Sequence, residues 1–457
     1  MSISVAAGEG LPPGPRLWAV GSLVLAILLA VLDGSIANVA LPTLSRDLGI
    51  SAAESIWVVN AFQLAVTVSI LPLASLGEIW GYKRVYATGL AVFTAASLAC
   101  ALSDSLVTLV IARVFQGLGG AGIMAVNAAL VRYIYPRAMI GRGVAVTAMT
   151  VAVGSAIGPT VASGILSVAD WPWLFAVNVP LGVIAVAVAI KTLPMTPLSG
   201  HKFDTVSAIL SALTFGCVVT GIDGLANGGG AAFSALELAV AVVSGFLLVR
   251  RQLGRPAPLL PIDLLRIPIF ALSLCTSICS FTAQMMAFIS LPFFFQYVLH
   301  LSPVETGLLM TPWPLMTALI SPFAGRKADK WPAGIMGAVG LALFGTGLLM
   351  VGLLDEGAST LDIVWRMGLA GLGFGIFQSP NNRTLITSAP PSRAGGAGGM
   401  LATARLIGQS CGAAFVAVIF AAAAGGHSSL PIVIAAGIAG VAALVSLSRQ
   451  TVPRPVS

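Results

Sequence analysis

A lone acid stands in the first apolar stretch of this 457-residue chain, within the run Leu32-Asp33-Gly34-Ser35-Ile36-Ala37-Asn38-Val39-Ala40-Leu41-Pro42. A carboxylate near the middle of a membrane helix costs roughly 2.5 to 3.5 kcal/mol on insertion scales, so its chemistry should be one that needs a charge: carrying a proton or holding a cation. The competing reading is an acid at a helix end, touching water. Arg113 poses the same question in another apolar stretch, with snorkelling to the membrane surface as the alternative. Arg113, Gln116, Gly120, Met124 and Asn127 follow one another at helical spacing and share one face. A guanidinium on a face lining a wet cavity would pair with a nearby carboxylate until substrate or a proton competes for it.

Further polar stripes offer hydrogen bonds to a cargo. Trp57, Asn60, Gln63 and Thr67 share a face, as do Ser273, Thr276, Ser280 and Gln284, and Arg366, Gln378 and Asn381 lie in a later apolar stretch. We expect substrate contacts from Trp57, Asn60, Gln63, Gln116, Asn127, Gln284, Gln378 and Asn381. For the Ser and Thr residues, polar glue between helices is an equal alternative. Arg366 is expected in the cavity with Asp33 and Arg113, and Arg405 is expected to pair across a helix interface.

These residues need membrane helices to position them. Hydrophobic residues make up 57% of the chain and charged residues 9%, with a mean hydropathy of +0.99, far from a soluble domain with about 25% charged. At about 20 apolar residues per crossing the sequence divides into fourteen spans: 16–40, 52–75, 84–103, 106–131, 141–166, 172–193, 204–225, 233–250, 268–298, 303–324, 333–354, 361–387, 397–422 and 428–448. With both termini in the cytoplasm, Lys and Arg collect on the cytoplasmic loops, leaving only Arg46 outside and Arg113, Arg366 and Arg405 within spans. The net charge of +7 is therefore a topology signal and does not point to nucleic acid. The first apolar run reads as an uncleaved span of a multi-pass protein of the cytoplasmic (inner) membrane. The five cysteines all fall in spans and suggest neither a disulfide framework nor a metal site.

An internal repeat organises the spans. At a shift of 251 residues, Leu48-x-x-Ser51-x-x-Glu54 falls on Leu299-x-x-Ser302-x-x-Glu305, and Glu78 falls on Asp329. Near a shift of 254, Gly117-Leu118-Gly119 falls on Gly371-Leu372-Gly373, and Gly154-x-x-x-Gly158 on Gly408-x-x-x-Gly412. The expected fold is an all-α integral membrane protein of two six-helix bundles, 1–194 and 256–457, with an inserted two-helix hairpin at 195–255.

Four motifs resemble the major facilitator superfamily, and specifically its fourteen-span drug:proton antiporter branch, over nearly the whole chain. They are Leu32-Asp33-x-x-Ile36-x-Asn38-Val39-Ala40-Leu41-Pro42; Leu76-Gly77-Glu78-x-x-Gly81-x-Lys83-Arg84; Arg113-x-x-Gln116-Gly117-x-Gly119; and Gly154-x-x-x-Gly158-Pro159. Ala74 and Glu78 depart from the usual Gly and Asp of the second motif, and Ala162-Ser163 from the Gly-Gly that usually closes the fourth. The resemblance implies alternating access, with cargo bound between the halves at mid-membrane. It implies proton coupling through Asp33 and Arg113, and export signalled by the antiporter motif Gly154, Gly158 and Pro159. Glu78, Lys83 and Arg84, with Asp329 and Arg326 in the other half, are expected to form a two-state latch. Gly154, Gly158 and Pro159 are expected to make a tight joint with the tenth span.

The expected cargo is a singly charged or weakly basic amphiphile, because the tenth span carries no acid past its first turn and is apolar and kinked at Thr311-Pro312-Trp313-Pro314. Protons and the lipid bilayer are the other expected partners, with no cofactor, no nucleic acid and a monomeric state. A dedicated metabolite or lipid exporter is the alternative on the same fold. A peptide symporter lacks its Glu-rich first-span signature here, a polytopic enzyme is disfavoured by the scattered His201, His300 and His427, and a sensor by the lack of a signalling domain.

Overall fold

A computed structural model describes residues 9–199, 203–226, 230–253, 262–327, 331–390, 393–422 and 428–450. Among the described residues the chain is all-α, with fourteen helices long and apolar enough to cross a membrane. In chain order the spans are Pro13–Asp47, Ala52–Trp80, Tyr82–Ala101, Leu106–Ile134, Arg137–Leu166, Pro172–Thr192, Thr205–Ile222, Ala232–Gln252, Pro268–Val298, Pro303–Lys327, Ala333–Gly352, Thr360–Ser388, Gly396–Ala422 and Leu430–Ser448. Only helices that close every backbone hydrogen bond internally can sit in hydrocarbon, which is why so apolar a chain becomes helical almost throughout. The 35-residue first span is roughly 52 Å long at 1.5 Å per residue, well beyond the hydrocarbon core.

The chain divides into two compact units. One comprises Met1–Ala37 and Trp57–Gly216, the other Asn38–Ile56 and Cys217–Ser457. The division cuts the first span after Ala37 and the seventh after Gly216, so it runs through helices rather than through loops.

The repeat has a physical basis at both of its registers. Ser51 and Glu54 form a capping box: Glu54 N–H donates to Ser51 Oγ at 3.2 Å, and Glu54 Oε2 accepts from Ser51 N–H at 2.8 Å. Ser302 and Glu305 do the same at 3.2 and 2.8 Å. Each box satisfies donors that the first turn of a helix cannot bond internally. The glycines of the fourth and twelfth spans let helices touch backbone to backbone. A Cβ on Gly117 would lie 2.5 Å from the Phe62 carbonyl, and one on Gly371 would strike the Trp313 carbonyl. A Cβ on Gly119 would strike Phe93 N and Gly89 O, and one on Gly373 would strike Phe344 N and Gly340 O. Without a hydrophobic drive between helices in lipid, such close packing supplies much of the association.

Gly119→Ala and Gly373→Ala should therefore each destabilise the purified protein by on the order of 1–3 kcal/mol. Gly164→Ala, where an added Cβ meets nothing within 4 Å, should be neutral. Thermal unfolding in detergent measures the difference, and equal midpoints for all three variants would contradict the close approach.

Candidate functional site

Asp33 lies inside the first unit at 1% exposure, and Arg113 beside it at 0%. The snorkelling and helix-end alternatives are thereby removed for both. Arg113 Nη1 donates to Asp33 Oδ2 at 2.5 Å and to Gln116 Oε1 at 2.7 Å, while Arg113 Nε donates to the Val58 carbonyl at 2.8 Å. Asp33 Oδ1 accepts from Gln116 Nε2 at 2.7 Å and from Asn178 Nδ2 at 3.1 Å. Gln116 Nε2 also donates to Ser97 Oγ at 2.9 Å, and Cys100 Sγ donates to Gln116 Oε1 at 3.5 Å. The Arg113 guanidinium sits 4.4 Å from the Phe62 ring centre and 5.6 Å from that of Phe175.

Several spans thus converge on one carboxylate: the first supplies Asp33, the second Val58 and Phe62, the third Ser97 and Cys100, the fourth Arg113 and Gln116, and the sixth Phe175 and Asn178. The donors aimed at Asp33 are all N–H groups, a set suited to the ionised acid. A buried ion pair of this kind contributes little net stability, because desolvation offsets the attraction. Its retention in an apolar core is better accounted for by function than by folding.

Among the described residues the second unit carries no counterpart at the repeat-related positions. At the register that pairs Gly117 and Gly119 with Gly371 and Gly373, Arg113 and Gln116 fall on Met367 and Ala370, both fully buried. Around them stands an aromatic cluster, with Trp313 and Phe344 at 5.2 Å, Phe344 and Phe374 at 5.3 Å, and Phe281 and Phe374 at 5.8 Å between ring centres. The repeat reproduces the packing of the helices without the charge.

Other expected site residues fall in several environments. Gln116 belongs with the Asp33 pair and is buried, so it does not stand among substrate-facing residues. Trp57, Gln63, Gln284 and Gln378 are half-buried polar positions on their spans. Asn60 and Asn127 are buried. The hydroxyls of Thr67, Ser273, Thr276 and Ser280 donate to carbonyls of their own helices, at 2.7, 2.7, 2.7 and 2.9 Å. All four are buried.

Asn381 is also buried, inside a network that the sequence did not announce. Its Oδ1 accepts from Arg449 Nη1 at 2.8 Å and its Nδ2 donates to Ser277 Oγ at 2.7 Å; Arg449 Nη1 further donates to Ser273 Oγ at 3.0 Å and Nη2 to Ser446 Oγ. Arg449 counts among the loop bases by position, yet it is buried at the end of the fourteenth span. Arg366, expected in the cavity, instead pairs with Asp362 one turn away at 3.0 Å and donates to the Met350 carbonyl at 2.5 Å. It lies in the second turn of its helix, where the acid at the N-terminus was available as a local partner. Arg405 finds an aromatic face, with Phe281 at 5.7 Å.

Within the first unit the glycines of the fifth span make a close joint with the first span. A Cβ on Gly158 would lie 2.5 Å from Ser35 Cβ, and one on Gly154 would lie 3.1 Å from Val31 and 3.2 Å from Leu28. The fifth span therefore packs on the first span around Asp33, with Pro159 buried next to Gly158. The second unit repeats the arrangement: a Cβ on Gly408 would lie 2.6 Å from the Ile278 carbonyl, and one on Gly412 would lie 2.5 Å from the Thr282 carbonyl, both on the ninth span. Of the latch residues, Asp329 lies outside the described residues, Glu78, Arg84 and Arg326 are exposed, and Lys83 is half-buried. The Glu78 carbonyl accepts from Ser199 N–H at 2.7 Å. Asn178 is the member of the site that sequence reasoning missed. Its only signal is that it is a lone amide in the apolar sixth span.

Comparison with known proteins adds an independent line. The sequence profile described as Major Facilitator Superfamily matches residues 23–413. The chain is 52% identical over 448 residues to "Uncharacterized transporter YebQ" of Escherichia coli (strain K12), covering 98% of each protein. It is 30% identical to "Riboflavin transporter RibZ" of Clostridioides difficile (strain 630), covering 87% of each. It is also 30% identical to "Multidrug efflux pump LfrA" of Mycolicibacterium smegmatis (strain ATCC 700084 / mc(2)155), over 89% of this chain and 81% of that one.

Proposed function

The chain belongs to the Major Facilitator Superfamily, and from that premise we propose that this multi-pass membrane transporter is a proton-coupled antiporter that exports lipophilic cationic compounds by alternating access. The observation that supports the reading is the buried Asp33–Arg113 pair, an ionisable acid in an apolar core that in this reading exchanges a proton against cargo. In this reading the protein sits in the cytoplasmic membrane with both termini inside, as the distribution of Lys and Arg supports. It functions as a monomer of two six-helix halves, 1–194 and 256–457, with the hairpin 195–255 as an accessory. Trp57, Gln63, Gln284 and Gln378 offer polar contacts to the cargo, and Glu78, Lys83, Arg84, Arg326 and Asp329 work the latch.

Energetics bound what one acid can do. A proton crossing about 100 mV releases roughly 2.3 kcal/mol, enough to sustain about a fifty-fold cargo gradient, and each unit of pH difference adds about 1.4 kcal/mol. Exchange of one proton for one monovalent cation moves no net charge, so only the pH difference drives it.

Purified protein in proteoliposomes should move protons across the membrane when a lipophilic cation is added on one side without a pH gradient, with the two fluxes in opposite directions. An internal pH dye reads the proton and fluorescence of the cation reads the cargo. Cargo movement with no proton signal would overturn antiport. The likeness to RibZ favours a second reading, a dedicated metabolite transporter; riboflavin moving protons where a panel of lipophilic cations moves none would select it.

A further inference from the structure

The carboxylate of Asp33 is held unequally at its two oxygens. Oδ2 takes the charge-assisted bond from Arg113, whereas Oδ1 is held by two neutral amides, Gln116 at 2.7 Å and Asn178 at 3.1 Å. The Arg113 bond joins two opposite charges, whereas the amide donors carry none, so a proton arriving at this acid displaces less at Oδ1. Once there it makes Oδ1 a donor, and a donor facing two N–H groups has no acceptor. One of the two amides has to turn.

Gln116 is pinned. Its Oε1 accepts from Arg113 Nη1 at 2.7 Å and from Cys100 Sγ at 3.5 Å, and its Nε2 is shared between Asp33 and Ser97 Oγ at 2.9 Å. Turning it would set its N–H groups against the guanidinium. Asn178 has no such ties: among the described residues its side chain makes one hydrogen bond, the one to Asp33. It is the first residue of the helix Asn178–Thr192, one residue past the short helix Pro172–Ala176. Below it the span is fixed, since a Cβ on Gly182 would strike Thr94 Oγ1 on the third span.

We propose that Asn178 is the positioning residue that follows the proton. Its Nδ2 donates to ionised Asp33, and after a half-turn about χ2 its Oδ1 accepts the O–H of the neutral acid. Asp33 Oδ1 gains one proton from water on entry and returns it to water on exit; no other covalent bond changes. The charged and titratable groups facing the pair are Arg113 from the fourth span and Cys100 from the third, while the sixth span brings only Phe175 and Asn178 itself. The proposal rests on the reading of Asp33 as the proton carrier.

Isosteric variants separate the hydrogen bond from the packing. A threonine hydroxyl can donate or accept by rotating, while valine has the same shape and can do neither. The carboxyl C=O stretch that appears on acidification and is lost in Asp33→Asn marks the protonated carrier in infrared difference spectra. Asn178→Thr should keep that band near its wild-type position and retain drug-driven proton exchange within about threefold, whereas Asn178→Val should move the band to higher wavenumber and lower exchange about tenfold. If Asn178→Val does not fold, Asn178→Ser against Asn178→Ala makes the same comparison. Coincidence of the hydroxyl and alkyl variants in both readouts overturns the role of Asn178 and leaves the carrier in place. Absence of any acid-dependent band that Asp33→Asn removes overturns both.

Discussion

Asp33→Asn should abolish drug-driven proton exchange in proteoliposomes, with no measurable proton flux at any pH at which the wild type exchanges. The variant keeps the shape of the side chain and loses the group that can be charged and discharged. Its effect on stability should be separable. Removing one partner of a buried ion pair costs about 3–5 kcal/mol, because the remaining charge stays buried. Here the stranded guanidinium keeps the Val58 carbonyl, Gln116 Oε1 and the faces of Phe62 and Phe175, which should hold the loss to the lower end of that range. The double variant Asp33→Asn with Arg113→Gln removes both charges and should recover thermal stability without recovering proton movement. Asp33→Glu keeps the titratable group on a longer arm and should retain part of the exchange. Full drug-driven proton flux in Asp33→Asn, measured with an internal pH dye, would remove Asp33 from the mechanism.

The parts of this fold that were legible in the sequence are those that the bilayer dictates. Apolar length fixes where helices cross, and the fourteen spans follow from it. The repeat was visible for a local reason: Ser51 and Glu54, and Ser302 and Glu305, are capping boxes, while Gly119 and Gly373 are places where no side chain fits. Such requirements leave residue types in the sequence. Asp33, Arg113 and Gln116 could be singled out because a charge or amide in hydrocarbon is expensive. The partners of the less costly groups could not. A Ser or Thr in a membrane helix can bond its own backbone, so the stripe of Ser273, Thr276 and Ser280 looks like a wet face and is instead turned inward. Arg449 looks like a loop base because it follows the last apolar run, yet three hydroxyl and amide oxygens of other residues draw its guanidinium into the unit. Asn178 was hidden for the opposite reason: one amide in a long apolar run has no periodic companion. Gly154 and Gly158 announce close approach but not to which helix; within the first unit the helix they meet is the span that carries Asp33.

Arg113→Lys should lower proton-coupled exchange by about 100-fold although the charge is retained. The guanidinium uses two of its nitrogens in two directions, Nη1 toward Asp33 and Gln116 and Nε toward the Val58 carbonyl, while its flat face lies against Phe62. A lysine ammonium is a single point of charge on a flexible stem and cannot reproduce that fork or the stacking. If it reaches Asp33, the Val58 carbonyl loses a partner and Gln116 loses the contact that pins its amide. Hydrogen bonds to charged groups contribute about 1.5–3 kcal/mol each, and about 2.7 kcal/mol corresponds to the hundredfold loss. The damage should fall on coupling more than on cargo binding, since the residues lost to order are those around the acid. Binding of a lipophilic cation to Arg113→Lys should accordingly stay within a few-fold of wild type while exchange collapses. Arg113→Ala should lose both exchange and stability, because it leaves Asp33 buried with only two amide donors. Exchange by Arg113→Lys equal to wild type would show that a positive charge suffices, and that the fork seen around Val58 and Gln116 is packing alone.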